Sequence, residues 1–160
     1  FAAHFRFTGE NCSKKIKSGK NRLTSEQRKL WQDFEIKHLK TVLTGELQTF
    51  GDNLYLLPPG LPDLSKLKIA RNGLHLGTFK KNRFEPSFAL GLAMKPSEVL
   101  KRLEITEQDF KKYAAGETVE LPESQANGWY QLVLGGNGLG FAKVTGKTLK
   151  NYFPKGLRFR

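Results

Sequence analysis

Turn-forming residues divide this chain so finely that only one segment has room for a long helix. Between Gly45 and Gly146 the chain meets Pro58-Pro59-Gly60, Asn72-Gly73, Pro86, Gly116, Pro122, Asn127-Gly128 and Gly135-Gly136-Asn137-Gly138. Such residues impose backbone angles or remove donors that regular elements need, so the apolar runs between them suit short strands and brief helices. The exception lies before Gly45. Thr24 and Gln27 have the spacing of a capping box, and a helix is expected over 25–43. Leu30, Trp31, Phe34 and His38 share one face, and Ile36, Leu39 and Leu43 widen the stripe.

The remaining runs follow the same logic. Phe1, Ala3, Phe5 and Phe7 alternate, so residues 2–7 read as a strand. The chain opens inside that strand with Phe rather than Met, and its natural N-terminus is expected upstream. Residues 9–21 read as a polar loop with Lys14, Lys15, Lys17 and Lys20. Asn53 to Leu57 is expected as a strand. Leu67 to Arg71 and Leu74 to Phe79 flank Asn72-Gly73 as a hairpin. Pro86 suits the first turn of a helix carrying Phe88, Ala89 and Leu92. Ser97 can cap a second, with Val99, Leu100 and Leu103. Thr106 with Asp109 begins a third, with Phe110 and Tyr113, closed by Gly116. A short strand from Thr118 to Leu121 stops at Pro122, and Asn127-Gly128 marks a turn. A last hairpin joins Trp129–Leu134 to Leu139–Val144. Strands grouped with short helices predict an α+β fold, in two small units at 23–103 and 104–160 after a leading segment at 1–22.

Charge supplies the functional clue. The net charge is +12. Residues 1–40 hold 10 Lys/Arg against 4 Asp/Glu, residues 41–140 hold 11 against 11, and residues 141–160 hold 6 against none. The excess is thus confined to the two ends, and segregated charge creates the local positive potential that attracts a polyanion. The single cysteine, Cys12, excludes an intramolecular disulfide and a cysteine zinc cage. A lone thiol fits a reducing compartment, and a cytoplasmic location is expected. No apolar run has the length of a membrane span, so no membrane partner is expected.

Several apparent motifs dissolve on inspection. Gly146-Lys147-Thr148 resembles the end of a phosphate-binding loop, but Phe141 stands where the first glycine must be. His4, His38 and His75 have no second ligand at metal spacing. Cys12 has no assignable base. Neither a metal, a cofactor nor a catalytic residue is expected in this chain.

The stretch from Lys143 to Arg160 is different. Lys143, Lys147, Lys150, Lys155, Arg158 and Arg160 are interleaved with Phe141, Tyr152, Phe153 and Phe159. Cations neutralise phosphates and aromatic faces stack on unpaired bases, so this mixture suits RNA. Lys143, Lys147, Lys150, Lys155 and Arg158 are the expected phosphate contacts. Asn151 and Tyr152 are the expected base or sugar contacts, while Phe141 and Phe153 are assigned to the core.

The same residues carry a family likeness. Gly146-Lys147-Thr148-Leu149-Lys150-Asn151-Tyr152-Phe153-Pro154-Lys155-Gly156-Leu157-Arg158 resembles the C-terminal signature of bacterial RsmF-type enzymes, RNA 5-methylcytosine methyltransferases of the NOL/NOP/Sun family. Asn127-Gly128-Trp129-Tyr130 and the hairpin to Gly140-Phe141-Ala142-Lys143 look like their PUA-like RNA-binding domain, a β-barrel-type fold with short helices. Leu54-Tyr55-Leu56-Leu57-Pro58, Ile69-Ala70-Arg71-Asn72-Gly73-Leu74-His75-Leu76-Gly77 and Lys80-Lys81-Asn82-Arg83-Phe84-Glu85-Pro86-Ser87 resemble the preceding subdomain, a small mixed or antiparallel sheet. Residues 1–7 look like the last strand of the methyltransferase domain. The family's S-adenosylmethionine loop and its two catalytic cysteines have no counterpart here. Cys12 follows Asn11, not Pro or Thr. The resemblance therefore implies S-adenosylmethionine-dependent methyl transfer, on small-subunit ribosomal RNA, for a parent polypeptide, with this chain as its RNA-recruiting part. The competing reading is a module whose basic ends dock acidic ribosome-assembly proteins.

Overall fold

The computed structural model describes residues 22–61 and 73–159. The expected strand at 2–7, the loop with Cys12, the strand from Leu67 to Arg71 and the side chain of Arg160 lie outside them. The fold is α+β, with two sheets and three short helices among the described residues.

Helix α1 (Ser25–His38) opens on the expected capping box. Gln27 N–H donates to the Thr24 hydroxyl (3.2 Å), and Thr24 N–H donates to the Gln27 side chain (3.0 Å). The helix stops at His38, before Gly45, because Leu39 turns extended and bridges Val99. Lys40 N–H donates to Glu98 O and Leu100 N–H to His38 O, each at 2.8 Å. Those bonds replace the next helical turn. Trp31, Phe34 and His38 are buried at helical spacing, whereas Ile36, expected in the stripe, is 74% exposed.

A first sheet has the order β1 (Glu46–Phe50), β2 (Asn53–Leu57), β3 (Leu74–Lys80), β4 (Arg83–Pro86), antiparallel throughout. β1 and β4 are not evident in the periodicity. Pro86 ends β4 instead of starting a helix, and Ser87 caps α2 (Phe88–Ala93), its hydroxyl accepting from Leu90 N–H at 2.9 Å. A proline suits such an edge strand, where no ladder partner misses its N–H. The helix expected after Ser97 is also absent. A 3-10 turn at Pro96–Glu98 leads instead to β5 (Arg102–Glu104).

The second sheet has the order β5, β6 (Val119–Leu134), β7 (Asn137–Lys150). β5 runs parallel to β6, and β6 and β7 form a long antiparallel ribbon. The stops expected at Pro122 and Asn127-Gly128 do not break β6. They fall where its register with β7 slips, so the ribbon bends through bulges instead of turning. Helix α3 (Glu107–Ala115) starts on Thr106 and Asp109 and ends on Gly116 at φ 99, as expected.

Two cores result, and the ribbon serves both. Tyr130, Leu132, Ala142, Val144 and Leu149 enter the core under α3. Trp129 and Phe141 enter the core of α1 and the first sheet. Phe34 meets Phe141 edge-on at 5.8 Å. Gln131 is buried between the units, and its amide nitrogen donates to Gly91 O and Met94 O, each at 2.8 Å.

Candidate nucleic-acid interface

Strand alternation fixes how the basic C-terminal stretch is presented. Ala142 and Val144 point into the second core, the alternation breaks at Gly146 (φ 60), and Leu149 points inward again beyond it, with Lys147 and Lys150 exposed at the far end of the ribbon. Lys143, half-buried, lies across from Trp129. Lys155 is exposed in a 3-10 turn at Lys155–Leu157. Lys143 and Lys150 lie on either side of register slips of the ribbon, and Lys155 follows in the turn beyond it.

Their charges are uncommitted. Among the described residues the ion pairs are Arg83–Glu85 (2.8 Å) and Lys111–Glu107 (3.6 Å). The facing strand carries Glu120 and Glu123, both exposed, and neither forms an ion pair with the lysines.

Asn151 and Arg158 have another occupation. The Asn151 amide nitrogen donates to Tyr113 O (2.6 Å) and Glu117 O (2.9 Å) at the end of α3. Its oxygen accepts from Phe153 N–H (3.1 Å) and from Arg158 (3.2 Å). Both donors and both lone pairs of the amide are used, so the expected base contact by Asn151 is corrected to an internal latch. Arg158 also donates to Phe153 O at 3.4 Å. Its side chain lies against Gly116, where an added Cβ would come 2.7 Å from a guanidinium nitrogen. The cation thus sits at the C-terminal end of α3, where the helix dipole favours it. Its Nε is buried with no hydrogen-bond partner among the described residues, and it is the engagement of Nη2 by Asn151 and Phe153 that makes Arg158 part of the same latch.

The latch centres on Tyr113. Its hydroxyl donates to Phe141 O (3.4 Å) and accepts from Tyr152 N–H (3.3 Å). Burial pushes its pKa up to about 12, although the Tyr152 N–H and the Arg158 charge pull the other way.

Tyr152 fits the expected contact role better. The residue is 38% exposed, and its ring stands edge-on against buried Trp129, centroids 4.6 Å apart at 69°. Burial raises its pKa, and Glu85 raises it further while Arg83 opposes. Phe141 and Phe153 are core residues, as expected.

The sequence reading missed the exposed cations Lys80, Lys81 and Arg83 on the β3–β4 hairpin. The available signal was a polar run containing Asn82 between Phe79 and Phe84, which marks a tight turn. Asn82 takes φ 57 there. Among the described residues no group of three His, Cys, Asp or Glu side chains could hold a metal ion. None of their helices is long and apolar enough to cross a membrane.

Residues 33–94 match the family model for the first C-terminal domain of RsmF rRNA methyltransferase. Residues 100–159 match the model for the PUA domain of methyltransferase RsmF.

Proposed function

Because the chain belongs to the RsmF-type rRNA methyltransferases, as their C-terminal region, we propose that it grips ribosomal RNA for a catalytic domain on the same polypeptide. The PUA domain makes RNA the natural partner. The finer assignment comprises small-subunit ribosomal RNA, cytosine-5 methylation with S-adenosylmethionine, membership of the NOL/NOP/Sun family and a cytoplasmic location.

One observation supports this reading most strongly. Lys143, Lys147, Lys150 and Lys155 form no ion pair with a carboxylate among the described residues, and no acidic residue occurs in the sequence from 141 to 160. These lysines are the proposed phosphate contacts, and Tyr152 is the proposed base contact. Asn151 and Arg158 act one step back, holding the segment that presents Tyr152 and Lys155. No step of methyl transfer is assigned to this chain.

The test is RNA binding by the intact chain and by a variant with Lys147, Lys150 and Lys155 all changed to Glu. All three are exposed, so the variant should keep its melting temperature. Affinity for a ribosomal RNA fragment should fall by a factor of ten or more. Equal affinity of both proteins would reject the surface. Capture of acidic assembly proteins that survives nuclease treatment, with no RNA affinity, would favour the docking module instead.

A further inference from the structure

The unexplained cations lie on the first sheet, and β4 leads from them to the segment that carries Tyr152. β3 and β4 are joined by Lys81-Asn82, with Lys80 and Arg83 flanking the turn. Arg83 Nε donates to the Glu85 carboxylate at 2.8 Å, which engages the acid of β4 and orients the guanidinium plane. Its terminal nitrogens have no protein partner among the described residues. β4 is the edge strand of its sheet. From Glu85 the chain passes through Pro86 and Ser87 to Phe88, which meets Phe153 edge-on at 5.2 Å. Phe153 follows Tyr152, and Tyr152 rests on Trp129. The edge of the first sheet and the tail of the second are thus pinned together within three residues on one side and one on the other. The opposing influences of Glu85 and Arg83 on the Tyr152 hydroxyl agree with that closeness.

We propose that this junction binds an unpaired nucleotide of the RNA. Its base stacks on the exposed face of Tyr152, and the phosphates flanking it lie on Lys80, Lys81 and Arg83 to one side and on Lys143 and Lys150 to the other. The proposal rests on the RNA reading above and deepens it. It names single-stranded RNA as the ligand class and adds a contact element outside the PUA match. A ring held at near right angles to a buried tryptophan loses little freedom when a base lands on it. The carboxylate-oriented fork of Arg83 matches the geometry of a phosphate. A paired base hides its faces in the duplex stack, so a lone exposed tyrosine is of use only to an unpaired one.

The test compares a short single-stranded RNA with a duplex of the same sequence. The proteins are the intact chain, Tyr152→Leu, Tyr152→Phe, Lys80→Glu with Lys81→Glu, and the triple tail variant. Tyr152→Leu should lose about five- to a hundredfold affinity for the single strand and little for the duplex. Tyr152→Phe, which keeps the ring, should bind as the unaltered chain does. The hairpin variant should lose affinity and flatten the log–log salt slope by roughly 1.4, at about 0.7 per phosphate contact. If Tyr152→Leu and the hairpin variant bind the single strand normally while the tail variant does not, this inference fails and the broader RNA reading stands. If the tail variant also binds normally, both fall.

Discussion

A single side-chain amide, that of Asn151, connects three parts of the second unit: the end of α3, the turn into Phe153 and the Arg158 guanidinium. Removing it in Asn151→Ala leaves the carbonyls of Tyr113 and Glu117 without these donors and should cost about 1–3 kcal/mol. Thermal or urea unfolding reads that loss. A base contact would behave oppositely, lowering RNA affinity at unchanged stability. Tyr113 gives a second residue-scale expectation. Its folded pKa, about 12, lies above the ordinary tyrosine value, so the folded state holds its proton more tightly. Its contribution to stability is therefore complete below pH 10 and is lost as the pH rises toward 12. Urea midpoints taken from pH 9 to pH 12 should fall, and Tyr113→Phe should fall less steeply. Sequence alone showed that Asn151 sits in a basic, aromatic stretch. It could not show that the partners of the amide lie 34 and 38 residues upstream, because only the fold brings them there.

At the scale of elements, the local signals that survived are those completed within a few residues. The capping boxes of α1 and α3, the Gly116 stop and the hairpin at Gly135-Gly136 all stand where the residues imply. Those that failed were outvoted by distant partners. The end of α1 is fixed by Val99 and Glu98, which no window around Leu39 contains. Ser97 has the chemistry of a helix cap, yet the residues after it pair with α1 and then with β6. Asn127-Gly128 has the chemistry of a turn, but β7 runs alongside and holds β6 extended across a bulge. The packing of α2 on β7 yields a prediction. A Cβ on Gly91 would overlap the backbone of Gly140 and come 2.7 Å from Phe141 N. Helix propensity favours Ala over Gly by about 1 kcal/mol, but here the contact is with backbone that has no room to yield. Gly91→Ala should therefore lower the melting temperature. Gln131→Leu should lower it too, because Gly91 O and Met94 O lose a buried donor.

Across the whole molecule, the uneven charge was the most legible functional feature, and its arrangement the least. The tally along the chain places the positive excess at the two ends. Among the described residues the fold then separates the cations of the C-terminal end into lysines without ion pairs and Arg158, locked against α3. It also brings Phe88, just past β4 in the neutral middle of the chain, against Phe153 beside Tyr152, which no count along the chain reveals. The family likeness was readable because its motif is contiguous, from Gly146 to Arg158. The most direct examination is the salt dependence of RNA affinity, measured for the unaltered chain and for the triple Lys147, Lys150 and Lys155 to Glu variant. The unaltered chain should show a steep log–log decline, and the variant a slope shallower by roughly 2, at about 0.7 for each of three phosphate contacts. Identical slopes would contradict the assignment of those lysines, and a flat response in the unaltered chain would contradict RNA gripping by charge altogether.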